Sequence, residues 1–184
     1  MTEAPKQTKE NKASAMVGTM QQTVARPVTV SGKGLLLGKD ADLVIAPAAA
    51  GEGIVFERTD IEPKVQIPAI VSNTTNRARR TTLSNGDVTI ETVEHLMSAL
   101  AGLGIDNALI RIDGPEVPCG DGSSMPFVEQ LIEAGTVKQD LPRRVMRIHE
   151  PICIQDGSAM IAAFPTDQEG FQVVYDLDYG DASS

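Results

Sequence analysis

Residues 92–135 read TVEHLMSALAGLGIDNALIRIDGPEVPCGDGSSMPFVEQLIEAG. Within them Val93, Leu96, Met97, Leu100 and Leu103 recur at intervals of three and four. That is the period of a helix with one apolar face. Gly102 and Gly104 mark its end. Residues 107–112 (NALIRI) return to a strand pattern. Residues 114–124 form a loop rich in Pro, Gly and Asp. Pro126 suits the first turn of a second helix and Ser124 suits its cap. Phe127, Val128, Leu131 and Ile132 would form the apolar face of that helix, and Gly135 would stop it.

On the N-terminal side the period is two. Residues 23–30 (TVARPVTV), 42–46 (DLVIA), 53–58 (GIVFER) and 65–70 read as strands, and the Thr-rich stretch up to Leu83 continues the pattern. Asn85-Gly86, between Thr81-Thr82-Leu83 and Val88-Thr89-Ile90, signals a hairpin. Gly32, Gly34 and Gly38 punctuate a turn that calls for positive φ. A strand and not a helix follows them, which excludes a dinucleotide-binding loop. No G-K-[ST] or G-x-S-x-G motif occurs.

On the C-terminal side, residues 136–142 read as a linker. Residues 146–154 read as a strand interrupted at Pro151, with His149 in it. Asp156-Gly157 is a turn and residues 158–164 a strand. Phe171, Val173, Tyr175, Leu177 and Tyr179 alternate on a further strand. Three strands without a helix leave an apolar face uncovered. The expected class is therefore α+β. A two-layer sheet-and-helix domain over residues 23–140 is followed by the incomplete start of a second similar domain over 141–184. Residues 1–22 are polar and read as a disordered tail.

Composition narrows the function classes. The chain has 184 residues, 41% of them hydrophobic, enough to build a core. No run of apolar residues is long enough for a membrane-spanning helix. The net charge is −9 and only 3% of residues are aromatic, which argues against a nucleic-acid partner. Cys119 and Cys153 form no C-x-x-C pair, so a cysteine zinc ribbon is excluded. They could pair with each other, or remain free thiols in a reducing compartment. With no apolar signal segment before residue 23, a cytoplasmic location is expected.

The chemistry-bearing residues are few. Of the two histidines, His149 reads as an exposed strand residue. His95 follows Glu94 directly at the start of the first helix. Ser98 and Ala99 stack on it at i+3 and i+4, then Gly102, giving a small face that another element or a ligand could approach. Glu94 lies about 100° around the helix, so the two side chains can converge at the helix start. An imidazole can hold zinc while a non-ligating carboxylate takes a proton from the bound water. The same spacing also fits an ordinary surface Glu–His pair. Arg77, Arg79 and Arg80 could meet a phosphate, or could simply charge a strand edge.

The run from Thr92 to Gly135, with GKGLLLGKDADLVIAP and Arg58-Thr59-Asp60 before it and IHEPICIQDG to FQVVYDLDYG after it, resembles the UDP-3-O-acyl-N-acetylglucosamine deacetylases. These are zinc enzymes of lipid A biosynthesis in Gram-negative bacteria. The resemblance covers nearly everything after Thr23. It implies two α+β domains with the active site between them and a Zn²⁺ cofactor. UDP-3-O-acyl-N-acetylglucosamine is the implied substrate, with no stable membrane insertion and a monomeric full-length protein. By position His95 looks like a zinc ligand. Glu94 looks like the general base that activates water against the N-acetyl carbonyl. Asp121, in the D-G-S block, reads as structural.

Two departures stand out. The family's glycine turn usually carries a histidine where this chain has Leu36. The family's remaining zinc ligands, in an H-x-x-x-D pattern, and its second catalytic histidine have no counterpart here. On this reading the sequence is the N-terminal part of a zinc-dependent amide hydrolase and inactive alone. The alternative is a shortened, non-catalytic relative that binds a partner or a UDP-sugar.

Overall fold

The computed structural model describes residues 19–167 and 170–176. Two compact units emerge, Met1–Arg143 and Arg144–Ser184, with the boundary three residues beyond the expected one.

The first unit is built on a five-stranded mixed sheet. Its strands are β2 (Val28–Lys33), β3 (Asp40–Pro47), β9 (Ala108–Ile112), β4 (Ile54–Arg58) and β5 (Val65–Pro68), in that spatial order. β4 and β9 run parallel and the other pairs antiparallel. Alternation puts Leu43, Ile45, Phe56, Ile67, Ile110 and Ile112 on one face, all fully buried. Glu57, Arg111 and Gln66 take the other face, where the Glu57 carboxylate accepts from both neighbours at 3.3 and 2.9 Å.

Two helices cover the apolar face: α1 (Glu94–Gly102) and α2 (Met125–Ala134). Leu96, Leu100, Phe127 and Leu131 enter the same core as the sheet residues. This is the expected α+β two-layer arrangement. α1 ends as its glycines direct. Gly104 adopts φ 68°, and Ile105 N–H donates back to the Leu100 carbonyl at 2.9 Å. On α2 the buried residues are Phe127, Leu131 and Ala134, spaced i, i+4, i+7. Ile132, expected on that face, lies about 100° around from Leu131 and is 64% exposed.

A three-stranded meander of β6 (Thr74–Thr75), β7 (Thr82–Asn85) and β8 (Val88–Ile90) leads into α1. Its hairpin is the one signalled by Asn85-Gly86, with Asn85 paired to Val88 and the turn formed by Gly86 and Asp87. Gly86 at the first turn position has φ 59°.

Several expectations are corrected. Residues 23–30 are two strands and not one, because the chain bends at 25–27 and Pro27 has no N–H to donate. The first of them, β1 (Met20–Val24), begins inside the stretch read as a tail; residues 1–18 lie outside the described residues. Residues 136–142 are not a linker. They form β10 (Thr136–Pro142), antiparallel to β1. Half-polar strands at a domain edge carry no apolar signature, so their pairing shows only in three dimensions.

The second unit contains a hairpin of β11 (Ile152–Asp156) and β12 (Ala159–Ala163), turning at Gly157 and Ser158. Residues 143–149 are not in a strand, so His149 is not a strand residue. Residues 171–176 are likewise not in a strand, and Leu177 and Tyr179 lie outside the described residues. Cys119 and Cys153 are both free thiols. Among the described residues no helix is long and apolar enough to cross a membrane.

Asn107, only 1% exposed, ties the β1–β10 ribbon to the main sheet. Its carbonyl accepts from Gly53 N–H at 2.7 Å, and its amide donates to Gln21 and Gln139 at 2.8 and 2.7 Å. Asn107→Ala removes the acceptor of Gly53 N–H and the amide that bridges Gln21 and Gln139, although Gln21 Oε1 keeps Gly51 N–H. It is expected to lower stability by about 1–3 kcal/mol, read from the urea midpoint at unchanged slope.

Candidate active site

Glu94 and His95 are the first and second residues of α1, as their positions in the sequence implied, and both are half-buried. A carboxylate in the first turn is favoured by the helix dipole. Glu94 Oε2 accepts a hydrogen bond from Thr81 N–H at 3.0 Å, while its other oxygen takes none among the described residues. Glu94 is therefore oriented by the turn before β7 and keeps one oxygen free to receive a proton.

The small face beyond His95 is occupied in part. Ser98 Oγ donates to the His95 carbonyl at 2.9 Å. It lies 2.5 Å from Ser124 Oγ, whose hydroxyl then supplies the second proton. The start of α2 is thereby brought one turn beyond His95. Ser124, expected to cap α2, makes no capping bond because its hydroxyl is engaged here. Ser123 Oγ accepts from Met125 N–H at 3.0 Å instead. Asp121 holds Ser123 through its N–H and hydroxyl, at 2.9 and 2.7 Å, and these bonds keep the Asp121 carboxyl below the usual range. Its role is structural in this geometry. At Gly102 a side chain would meet nothing within 4 Å, so that end of the face is open.

The lead-in to α1 is unusual. Thr92 is β-branched, 3% exposed and has φ 60°, a conformation that costs such a residue about 1–3 kcal/mol. Its hydroxyl donates to Glu116 Oε1 at 3.0 Å. Glu116 is 2% exposed and also accepts from the N–H groups of Leu36 and Leu37, at 2.8 and 2.7 Å. Around it, Glu91 N–H donates to Pro115 and Val117 N–H donates back to Glu91. Gly34 is required for a reason other than turn conformation: a β-carbon there would overlap the Glu116 carboxylate. Positive φ is needed instead at Gly38, with φ 63°. Thr92 and Glu116 both lie in the run that carries the resemblance, Glu116 within Pro115-Glu116-Val117-Pro118, but the sequence alone assigns neither of them a role.

The three arginines do not line a strand edge. They lie on the turn between β6 and β7. Arg80 is committed to Glu91, with Nε 2.5 Å from Oε2, and Thr82 Oγ1 donates to the same oxygen at 2.6 Å. Burial pushes the Glu91 carboxyl up. The hydrogen bonds from Thr82 and Arg80 and the charges of Arg80 and Arg77 outweigh that and hold it below the usual glutamate value. In the same way Arg58 chelates Asp60 with two bonds of 2.7 Å, and the Asp60 carboxyl is held low chiefly by them.

Among the described residues, no three His, Cys, Asp or Glu side chains come together to hold a metal. A catalytic zinc takes three protein ligands. His95 offers one, so the described residues do not fit a zinc ion by themselves.

With this geometry in hand, similarity to known proteins is decisive. Residues 21–184 match the family described as UDP-3-O-acyl N-acetylglycosamine deacetylase. The chain belongs to that family. Proteins named UDP-3-O-acyl-N-acetylglucosamine deacetylase from Cellvibrio japonicus (strain Ueda107), Pseudomonas entomophila (strain L48) and Geobacter sp. (strain M21) are each 42% identical to it over 159 residues. Each alignment covers 86% of this chain and 52% of the relative. The chain thus spans about half the length of the curated relatives it matches.

Glu91 yields a pH prediction. Its folded pKa lies below its unfolded one, so it stabilises the fold above the ordinary glutamate value. That contribution is lost as pH falls through the lowered value. Glu91→Gln is expected to flatten the acid limb of stability against pH, measured by denaturation at stepped pH. An unchanged acid limb would contradict the assignment.

Proposed function

We propose that the protein contributes to hydrolytic removal of the N-acetyl group from UDP-3-O-acyl-N-acetylglucosamine in lipid A biosynthesis. Glu94 serves as general base and His95 as an imidazole donor to a zinc ion. The observation that carries this reading is the placement of Glu94 and His95 in the first turn of α1 in a chain of this family. Glu94 is anchored through one oxygen by Thr81 N–H and has the other free. A carboxylate so held can take a proton from a water and deliver it to a leaving amine. Two turns farther along the same helix face, at Gly102, the surface is open. No step is derived through the metal, because His95 is one donor and the others are not among the described residues. A cytoplasmic site of action belongs to the same proposal.

The non-catalytic alternative has one observation in its favour. Leu36, where the family usually has histidine, is 46% exposed on the turn held by Glu116. An apolar side chain there cannot exchange a proton.

One experiment separates the two readings. Acetate release from the UDP-sugar substrate is assayed with the intact native protein and its Glu94→Gln variant. The variant should lose about 10²–10⁴-fold in kcat with its circular dichroism unchanged. Equal turnover by both would remove Glu94 from the role of base. Absence of turnover in the native protein, with the UDP-sugar still bound, would establish the non-catalytic reading.

A further inference from the structure

We propose that Glu116 and Thr92 act as a positioning pair that sets the first turn of α1, and hence the placement of Glu94 and His95, against the Gly34–Gly38 turn. The inference rests on Glu94 and His95 being the functional pair proposed above. The geometric claim itself is tested without assaying catalysis.

Thr92, two residues before Glu94, holds φ 60° although it is β-branched and buried. Such a conformation persists only where its surroundings over-determine it. Its side chain makes one hydrogen bond among the described residues, to Glu116 Oε1. Glu116 has no cationic partner among the described residues. Its charge is met instead by two main-chain N–H groups of the turn, from Leu36 and Leu37, and by the Thr92 hydroxyl. A buried carboxylate satisfied only in this way requires all its donors to stay in place. Moving the turn releases a donor, and so does rotating Thr92 to an ordinary φ. The turn and the helix start therefore shift together or not at all. Gly34, which alone leaves room for the carboxylate, completes the fit.

Glu91 is a different case. It is neutralised by Arg80 and satisfied by Thr82, both on its own meander, and does not reach the turn. Thr81 is the adjoining sensor, because its N–H is bound to the Glu94 carboxylate. Any rotation of the first turn of α1 must register there and at the His95 ring.

The test uses amide and imidazole NMR on the full 184-residue chain with Thr92→Val, Thr92→Ser and Glu116→Gln. Thr92→Val removes the hydroxyl but keeps the branch. It should displace the Thr81 amide and His95 ring resonances, while core amides such as Ile45 and Ile110 stay put. Thr92→Ser keeps the hydroxyl and should restore the native positions. Glu116→Gln presents a donor where the turn needs an acceptor. It should speed amide exchange at Leu36 or Leu37 by about tenfold or more, as expected for losing a bond to a charged acceptor. If Glu116→Gln does not fold, the two Thr92 variants still decide. The proposal fails if Thr92→Val leaves Thr81 and His95 unmoved. It fails equally if Thr92→Ser does not rescue them, or if the changes spread evenly over the core. None of these outcomes depends on whether the protein deacetylates anything.

Discussion

A buried carboxylate with no cationic partner among the described residues ties its own loop to two other parts of the first unit. Glu116 receives the turn after β2 through Leu36 and Leu37 N–H and the lead-in to α1 through Thr92 Oγ1. Removing a charge from water is costly unless its lone pairs are met, and each hydrogen bond to a charged group returns only about 1.5–3 kcal/mol. No single donor suffices. The arrangement is stable because three are supplied at once, two of them from a backbone that cannot rotate away. This explains why a strained Thr92 is tolerated: leaving φ 60° would withdraw one of the donors.

Around this point the rest of the site is arranged by ordinary packing. The apolar face of α1 presses Leu96 and Leu100 into the sheet core, which fixes the helix axis. Rotation about that axis and the height of the first turn need a polar constraint. Thr92, Thr81 and the Ser98–Ser124 contact provide it from three directions. Glu94 and His95 are thus placed by apolar contacts below them and hydrogen bonds around them. The same division appears at the ribbon of β1 and β10, where few side chains are buried and Asn107 supplies the connection.

How much of this was legible follows from the kind of force involved. Where burial decides the conformation, periodicity reports it. α1, α2, the β7–β8 hairpin and the interior strands were readable because Leu43, Ile45, Leu96, Leu100 and Leu131 repeat at the period of their element. Where hydrogen bonding across long sequence separation decides, nothing local reports it. β10 looked like a linker because its partner β1 is more than 100 residues away. Glu116 lies in a block that carries the resemblance, but its role is not legible because its donors lie 79, 80 and 24 residues away. Glu94 and His95 are singled out because both lie at the start of one predicted helix, and the roles proposed for them come from the family resemblance and not from spacing. The residues that orient them lie on other elements, and their chemistry is commonplace.

The use of main-chain donors bears on Leu36. Glu116 binds residue 36 through its N–H, which every residue except proline possesses. The scaffold is therefore indifferent to the side chain at that position. The turn, the carboxylate and the lead-in to α1 are held by atoms that do not depend on the leucine side chain. The Leu36 side chain is half exposed and sets only the surface the turn presents, an apolar one that cannot carry a proton. Glu94 and His95, two and three residues beyond Thr92, are tied to this frame through main-chain and hydroxyl donors and not through the side chain at residue 36.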